Sequence, residues 1–216
     1  MQNEKQQNEI ISKGKEMGQK VFAQTKEATS QAIKALKILS RDPIGGQSEA
    51  LKNLGQSNAL RAGIVLVVIF SISCFLLGHS IVSESQEVGQ YMGGMTGTYF
   101  KLLLFSLIPS ASFFVCFFLI MKLISQEKEE ISTCIYTTGV STLPLAVLFF
   151  CIKIFGLSNF ELLSAIGIFC LSTTFFLINS SMQDIYKLST QKSFLITPTL
   201  VLFAGVVSNV LYSALI

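Results

Sequence analysis

The chain has 216 residues, half of them hydrophobic and 13% charged, with 18 phenylalanines, a formal net charge of +3 and a mean hydropathy of +0.58. Soluble domains carry about 25% charged residues, so this composition excludes an ordinary soluble globule and points to a membrane protein. The charge is unevenly placed: residues 1 to 61 hold ten of the sixteen Lys and Arg residues, which divides the chain into a polar arm, 1–57, and an apolar body, 58–216.

The arm opens MQNEKQQNEI and has no apolar core of the signal-peptide kind. Insertion is therefore expected to begin with the first apolar span, acting as an uncleaved signal. Within the arm, Met17, Val21, Ala28, Ala32, Ala35, Leu36 and Leu39 recur at spacings of three, four and seven, and Lys20, Lys26, Lys34 and Lys37 occupy the other face with Glu16 and Glu27 among them. That period predicts an amphipathic helix. Its narrow apolar stripe can pack on a helix of a partner or of the chain itself, lie on an anionic leaflet, or stay loosely ordered. Pro43, Gly45 and Gly46 are expected to end this helix. Ser48 then reads as the N-cap of a short helix through Leu54 that Gly55 terminates, laid flat with Leu51, Leu54 and Leu60 toward the membrane.

Crossing about 30 Å of hydrocarbon takes about 20 apolar residues, and five runs qualify: 62–77, 100–123, 131–155, 160–178 and 194–216. The first is short and needs Ala59 and Gly78 to complete it. The connectors are brief and polar, carrying Glu84 and Glu87, then SQEKEE, then GLSN, then NSSMQDIYKLSTQKS. Connectors this short make consecutive helices expected neighbours. The predicted fold class is all-α, a polytopic bundle of five transmembrane helices with an N-terminal cytoplasmic amphipathic helix. Retention of positive charge on the cytoplasmic side sets its orientation. Residues 1 to 61, the connector with Lys122 and Lys128, and the connector with Lys187 and Lys192 lie on one side and hold fourteen of the sixteen cations. Lys101 and Lys153, at helix ends, fall on the other. This count places the N-terminus in the cytoplasm and the C-terminus opposite.

Residues that carry chemistry are few. His79 is the only histidine and ends the first span, where an interfacial polar role is expected. Cys74, Cys116, Cys134, Cys151 and Cys170 all fall inside spans without a CxxC pair, so they read as small apolar packing residues. No catalytic residue, cofactor or metal site is expected, and no nucleic-acid partner. No acidic residue falls at mid-membrane, where transporters and channels commonly place one. Deep polarity is limited to Thr137, Thr138, Ser141, Thr142, Thr173, Thr174 and Asn209, of which Asn209 is the candidate for a specific interhelical hydrogen bond. Gly89, Gly93 and Gly97 repeat every four residues but outside an apolar run, and read as a flexible loop.

Pro109, Pro144 and Pro198 sit inside spans two, three and five, which predicts kinked helices. Pro144 frees the carbonyl four residues earlier, and the hydroxyls of Ser141 and Thr142 are candidates to satisfy it. Gly139 is expected to let another helix approach. The stretch YTTGVSTLPLAVLFF, with Gly139, Leu143, Pro144 and Leu145 in a five-span body behind a polar arm, resembles the Yip family of small integral membrane proteins. The chain departs from that family's pattern in having Val140 where tyrosine is frequent, and DPIGG at 42–46 where eukaryotic members carry Asp-Leu-x-Gly-Pro. The resemblance implies the five-span fold. Eukaryotic members are associated with Rab-type small GTPases and vesicle traffic, whereas the arm and body composition fit a bacterial inner-membrane protein. The expected function is a non-enzymatic membrane scaffold or adaptor whose N-terminal helix meets a protein partner or a second copy. The competing class is a small transporter or channel for a neutral or weakly polar solute, with the hydroxyls and Asn209 lining its path. A membrane-embedded enzyme would need a positioned acid, base or nucleophile pair.

Overall fold

A computed structural model describes residues 2–42, 45–84, 94–124, 130–156 and 158–215. Pro43, Glu87, Gly89, Gly93 and Lys128 lie outside them. Among the described residues there are six helices: α1 (Gln2–Arg41), α2 (Gly46–Glu84), α3 (Gly94–Ile124), α4 (Ile131–Phe155), α5 (Phe160–Asp184) and α6 (Thr190–Leu215). The five helices α2 to α6 are each long and apolar enough to cross a membrane. Large side chains such as Phe169, Phe176 and Leu202 are exposed on the outside of the bundle, as suits a lipid surround.

Local chemistry explains where the helices stop. Glu130 is extended, and its carbonyl accepts the N–H groups of Thr133 and Cys134 at 3.0 and 3.2 Å, which opens α4. Gly156 closes α4 at φ 70°, with its N–H on the Ile152 carbonyl at 2.9 Å, a positive φ that glycine adopts at least cost. The polar segment 179–193, expected to be a connector, is largely helical. Its Asn, Ser, Met and Gln residues extend α5 to Asp184, and α6 resumes at Thr190.

Two expectations at the start of the bundle are corrected. The short helix begins at Gly46, so Ser48 is an interior residue and no N-cap. Asp42 organises the turn instead, its carboxylate accepting the Gly45 N–H at 2.8 Å and its carbonyl the Gly46 N–H at 3.0 Å. Leu54 is buried against α1 and not set toward lipid. Gly55 does interrupt α2, at φ 68° and ψ 167°, and the segment then continues as the first span. Pro109, Pro144 and Pro198 lie inside α3, α4 and α6, which stay helical through them, and the residue that leaves helical geometry inside α2 is Gly55. Proline's fixed φ is itself helical, whereas a positive φ needs glycine.

Consecutive helices do touch, but the most extensive contact joins α2 and α4. It is close enough that a Cβ on Gly63 would lie 2.6 Å from the Tyr136 backbone, and one on Gly139 would lie 2.8 Å from the Gly63 carbonyl. One core runs through α1, α2 and α4, from Ala35 and Ala59 to Leu66, Tyr136 and Val140. A second joins α3 to α6 through Phe117, Cys134, Ile178, Met182 and Leu200. The Tyr212 hydroxyl also donates to the Phe105 carbonyl at 2.7 Å, with the two rings 5.2 Å apart.

Placing a methyl group between two backbones forces the helices apart, and overpacking costs about 1–3 kcal/mol. Gly63→Ala and Gly139→Ala are therefore expected to lower the thermal unfolding midpoint of the protein in nanodiscs, while Gly205→Ala, in open space, leaves it unchanged. Equal midpoints for all three variants would refute the close crossing.

Candidate functional site

The motif residues are distributed around the α2–α4 crossing. Gly139 faces α2, Leu143 packs on the core shared with α1, and Leu145 packs on Phe70, Cys74 and Ala146. Pro144 is half-buried between them. The hydroxyl expected to satisfy the carbonyl freed by Pro144, that of Val140, goes elsewhere. Thr142 Oγ1 donates to the Thr138 and Gly139 carbonyls at 2.9 and 3.3 Å, and Ser141 Oγ has no partner among the described residues. Threonine in a helix reaches back three or four residues, and from position 142 those are 138 and 139.

Beside the crossing, the first turns of α2 lock onto the bundle through Gln47, whose side chain is fully buried. Its Nε2 donates to the Leu177 carbonyl at 2.9 Å, and its Oε1 accepts from Ser181 Oγ on α5. Nine residues later, Gln56 Nε2 donates to the Glu130 carboxylate at the start of α4. The segment 46–56 therefore spans the ends of α5 and α4 as a tie. Sequence reasoning passed over Gln47, since a single glutamine before an apolar run carries no periodic signal.

This tie is the seat of α1. Ala32, Ala35 and Leu39 are buried with Ala50, Leu54, Ala59 and Ala62, and Arg61 of α2 pairs with Glu27 of α1. Small residues on both helices allow the approach. The same α1 stripe continues outward, but there Met17 and Val21 are 64% and 56% exposed, with Phe22 beside them at 73%. Part of the stripe is thus a completed intramolecular interface and the rest is uncovered.

Thr137, Thr138, Ser141, Thr142 and Thr174 are buried between helices, and Thr173 bonds the Phe169 carbonyl of its own helix. None of them lines the larger described clefts, which are apolar grooves facing outward between α2 and α3 and between α5 and α6. Asn209 is corrected as an interhelical contact: it is exposed, and its side chain makes no hydrogen bond among the described residues. Nine residues from the buried Leu200, at about 3.6 residues per turn, put it about half a turn round the helix. Tyr212 makes the polar tie to α3 instead.

His79 is half-buried in the last turns of α2, and four of the five cysteines are buried, Cys151 half-buried. Among the described residues no group of three or more His, Cys, Asp or Glu side chains is placed to hold a metal ion. Compared with known proteins, the chain matches no family model, no curated protein and no solved structure.

Removing one member of a buried hydrogen-bonded set costs about 1–3 kcal/mol. Gln47→Leu is expected to lower stability by that amount and to loosen α1, while Asn209→Leu stays within about 0.5 kcal/mol of the parent. Thermal unfolding with limited proteolysis of α1 measures both, and a neutral Gln47→Leu would contradict the tie.

Proposed function

We propose that this chain is a non-enzymatic membrane scaffold, Yip-like in its five-span plan, that presents the outer part of α1 to another helix. The observation that carries the reading is the divided stripe, buried at Ala32, Ala35 and Leu39 and uncovered at Met17 and Val21. A continuous interface that is half filled fits a second helix of the same kind, and the occupant we assign is the same segment of a second copy. Glu16 and Lys20 flank the open part as an i, i+4 pair at 2.9 Å, so an antiparallel copy meets mixed charge on both sides. Burial of the hydroxyls between helices favours this reading over a solute path. The excess of cations at the α1 end supports a cytoplasmic N-terminus, and the composition of the arm supports a bacterial inner membrane.

The test is the mass of the full-length protein in nanodiscs and in mild detergent across a concentration series. Dimers that disappear in Met17→Glu/Val21→Glu, with an unchanged unfolding midpoint, are expected. A parent that stays monomeric throughout would overturn self-association through α1.

A further inference from the structure

A cleft of about 440 Å³ opens between α1 and the first part of α2, on the flank of the covered half of the stripe. Its walls carry Lys34, Lys37 and Arg41 from α1 and Asn53 and Asn58 from α2, with Gln31 at one end. The three cations recur at intervals of three and four, so they share one face of α1 and lie close together. None of them has an ion pair among the described residues, and Glu27, two turns before Lys34 on α1, is paired with Arg61. Like charges at this spacing repel. Asn58 Nδ2 donates to the Leu54 carbonyl at 3.1 Å, which fixes that amide at the rim.

We infer that this cleft is a binding site for a phosphate group, carried by the headgroup of an anionic phospholipid. A phosphate offers several acceptor oxygens to one guanidinium, two ammonium groups and neutral amide donors, and Arg with Lys is the residue set that suits it. Depth selects the lipid: Asn58 lies four residues before the apolar run at 62–77, which places this end of the cleft at the level where headgroups sit. Basic residues just outside a span attract anionic lipid there. The occupant also links α1 to α2 on a flank that the Glu27 and Arg61 pair does not cover.

The test uses delipidated full-length protein and native mass spectrometry, with dihexanoyl phosphatidylglycerol, dihexanoyl phosphatidylcholine and inorganic phosphate as probes. One phosphatidylglycerol is expected to bind, with phosphatidylcholine at least tenfold weaker. Lys34→Gln/Lys37→Gln/Arg41→Gln is expected to weaken phosphatidylglycerol binding at least tenfold. Lys15→Gln/Lys122→Gln/Lys192→Gln, which removes the same charge elsewhere, stays within about twofold. Inorganic phosphate that fails to displace the lipid confirms a lipid source, and displacement at matching concentrations keeps the phosphate site but reassigns its source to a soluble phosphate. Equal losses in the two triple variants, or no binding at all, would overturn the proposal. All three cleft cations are exposed, so circular dichroism of the variant is expected to match the parent, and Lys34→Arg/Lys37→Arg restores binding if charge at this place is the cause.

Discussion

The contact between Gly63 and Gly139 sets the distance between α2 and α4, and the rest of the architecture is built around that distance. Gly63 faces the Tyr136 backbone and Gly139 faces the Gly63 carbonyl and Leu66, so the backbones meet where a side chain would separate them. In lipid, helices associate through packing and hydrogen bonds and gain little from the hydrophobic effect between them, so close backbone approach is a main source of affinity. With α2 held against α4, the segment 46–56 reaches across the ends of α5 and α4, where Gln47 and Gln56 find their partners.

That reach gives α1 a rigid seat. A helix of 40 residues is about 60 Å long, far more than one alanine-lined contact covers. The consequence is a helix with a fixed root and a free outer part, both using the same face. The root is held by small-residue packing and one ion pair. The outer part continues the apolar stripe with the larger Met17 and Val21 and has no covering surface among the described residues, which is why a helical partner is the natural complement. The basic cleft on the flank of the root adds a separate, electrostatic link to the level of the headgroups.

Much of the fold was legible in the sequence because hydropathy and length act locally. The span 131–155 was read with both ends as observed, since Glu130 and Gly156 are strong local boundaries. The helical period of α1 and the stop at Gly55 were equally readable, the first from apolar spacing and the second from glycine's access to positive φ. What local patterns do not carry is pairing. Nothing in the neighbourhood of Gly139 says that its counterpart is Gly63, although the small residues Ala59, Ala62 and Gly63 at helical spacing were a usable sign. Gln47 reads as an unremarkable polar residue until α5 is brought beside it. Asn209 was expected to bond because a lone amide in a span is costly when buried, yet its position round α6 leaves it outside. The prolines lie inside helices that stay helical through them, and Gly55, with its positive φ, is where α2 leaves helical geometry.

The account rests on α1 being rooted on α2 of its own chain with its outer part free. Cross-linking in membranes tests this most directly, using Glu27→Cys/Arg61→Cys beside Val21→Cys in a background whose five native cysteines are replaced by alanine, and a short bis-maleimide. The account predicts that the first pair links within one chain and the single cysteine links only between chains. Links between chains for the first pair, or none, would show that α1 does not sit on its own α2 and would contradict it.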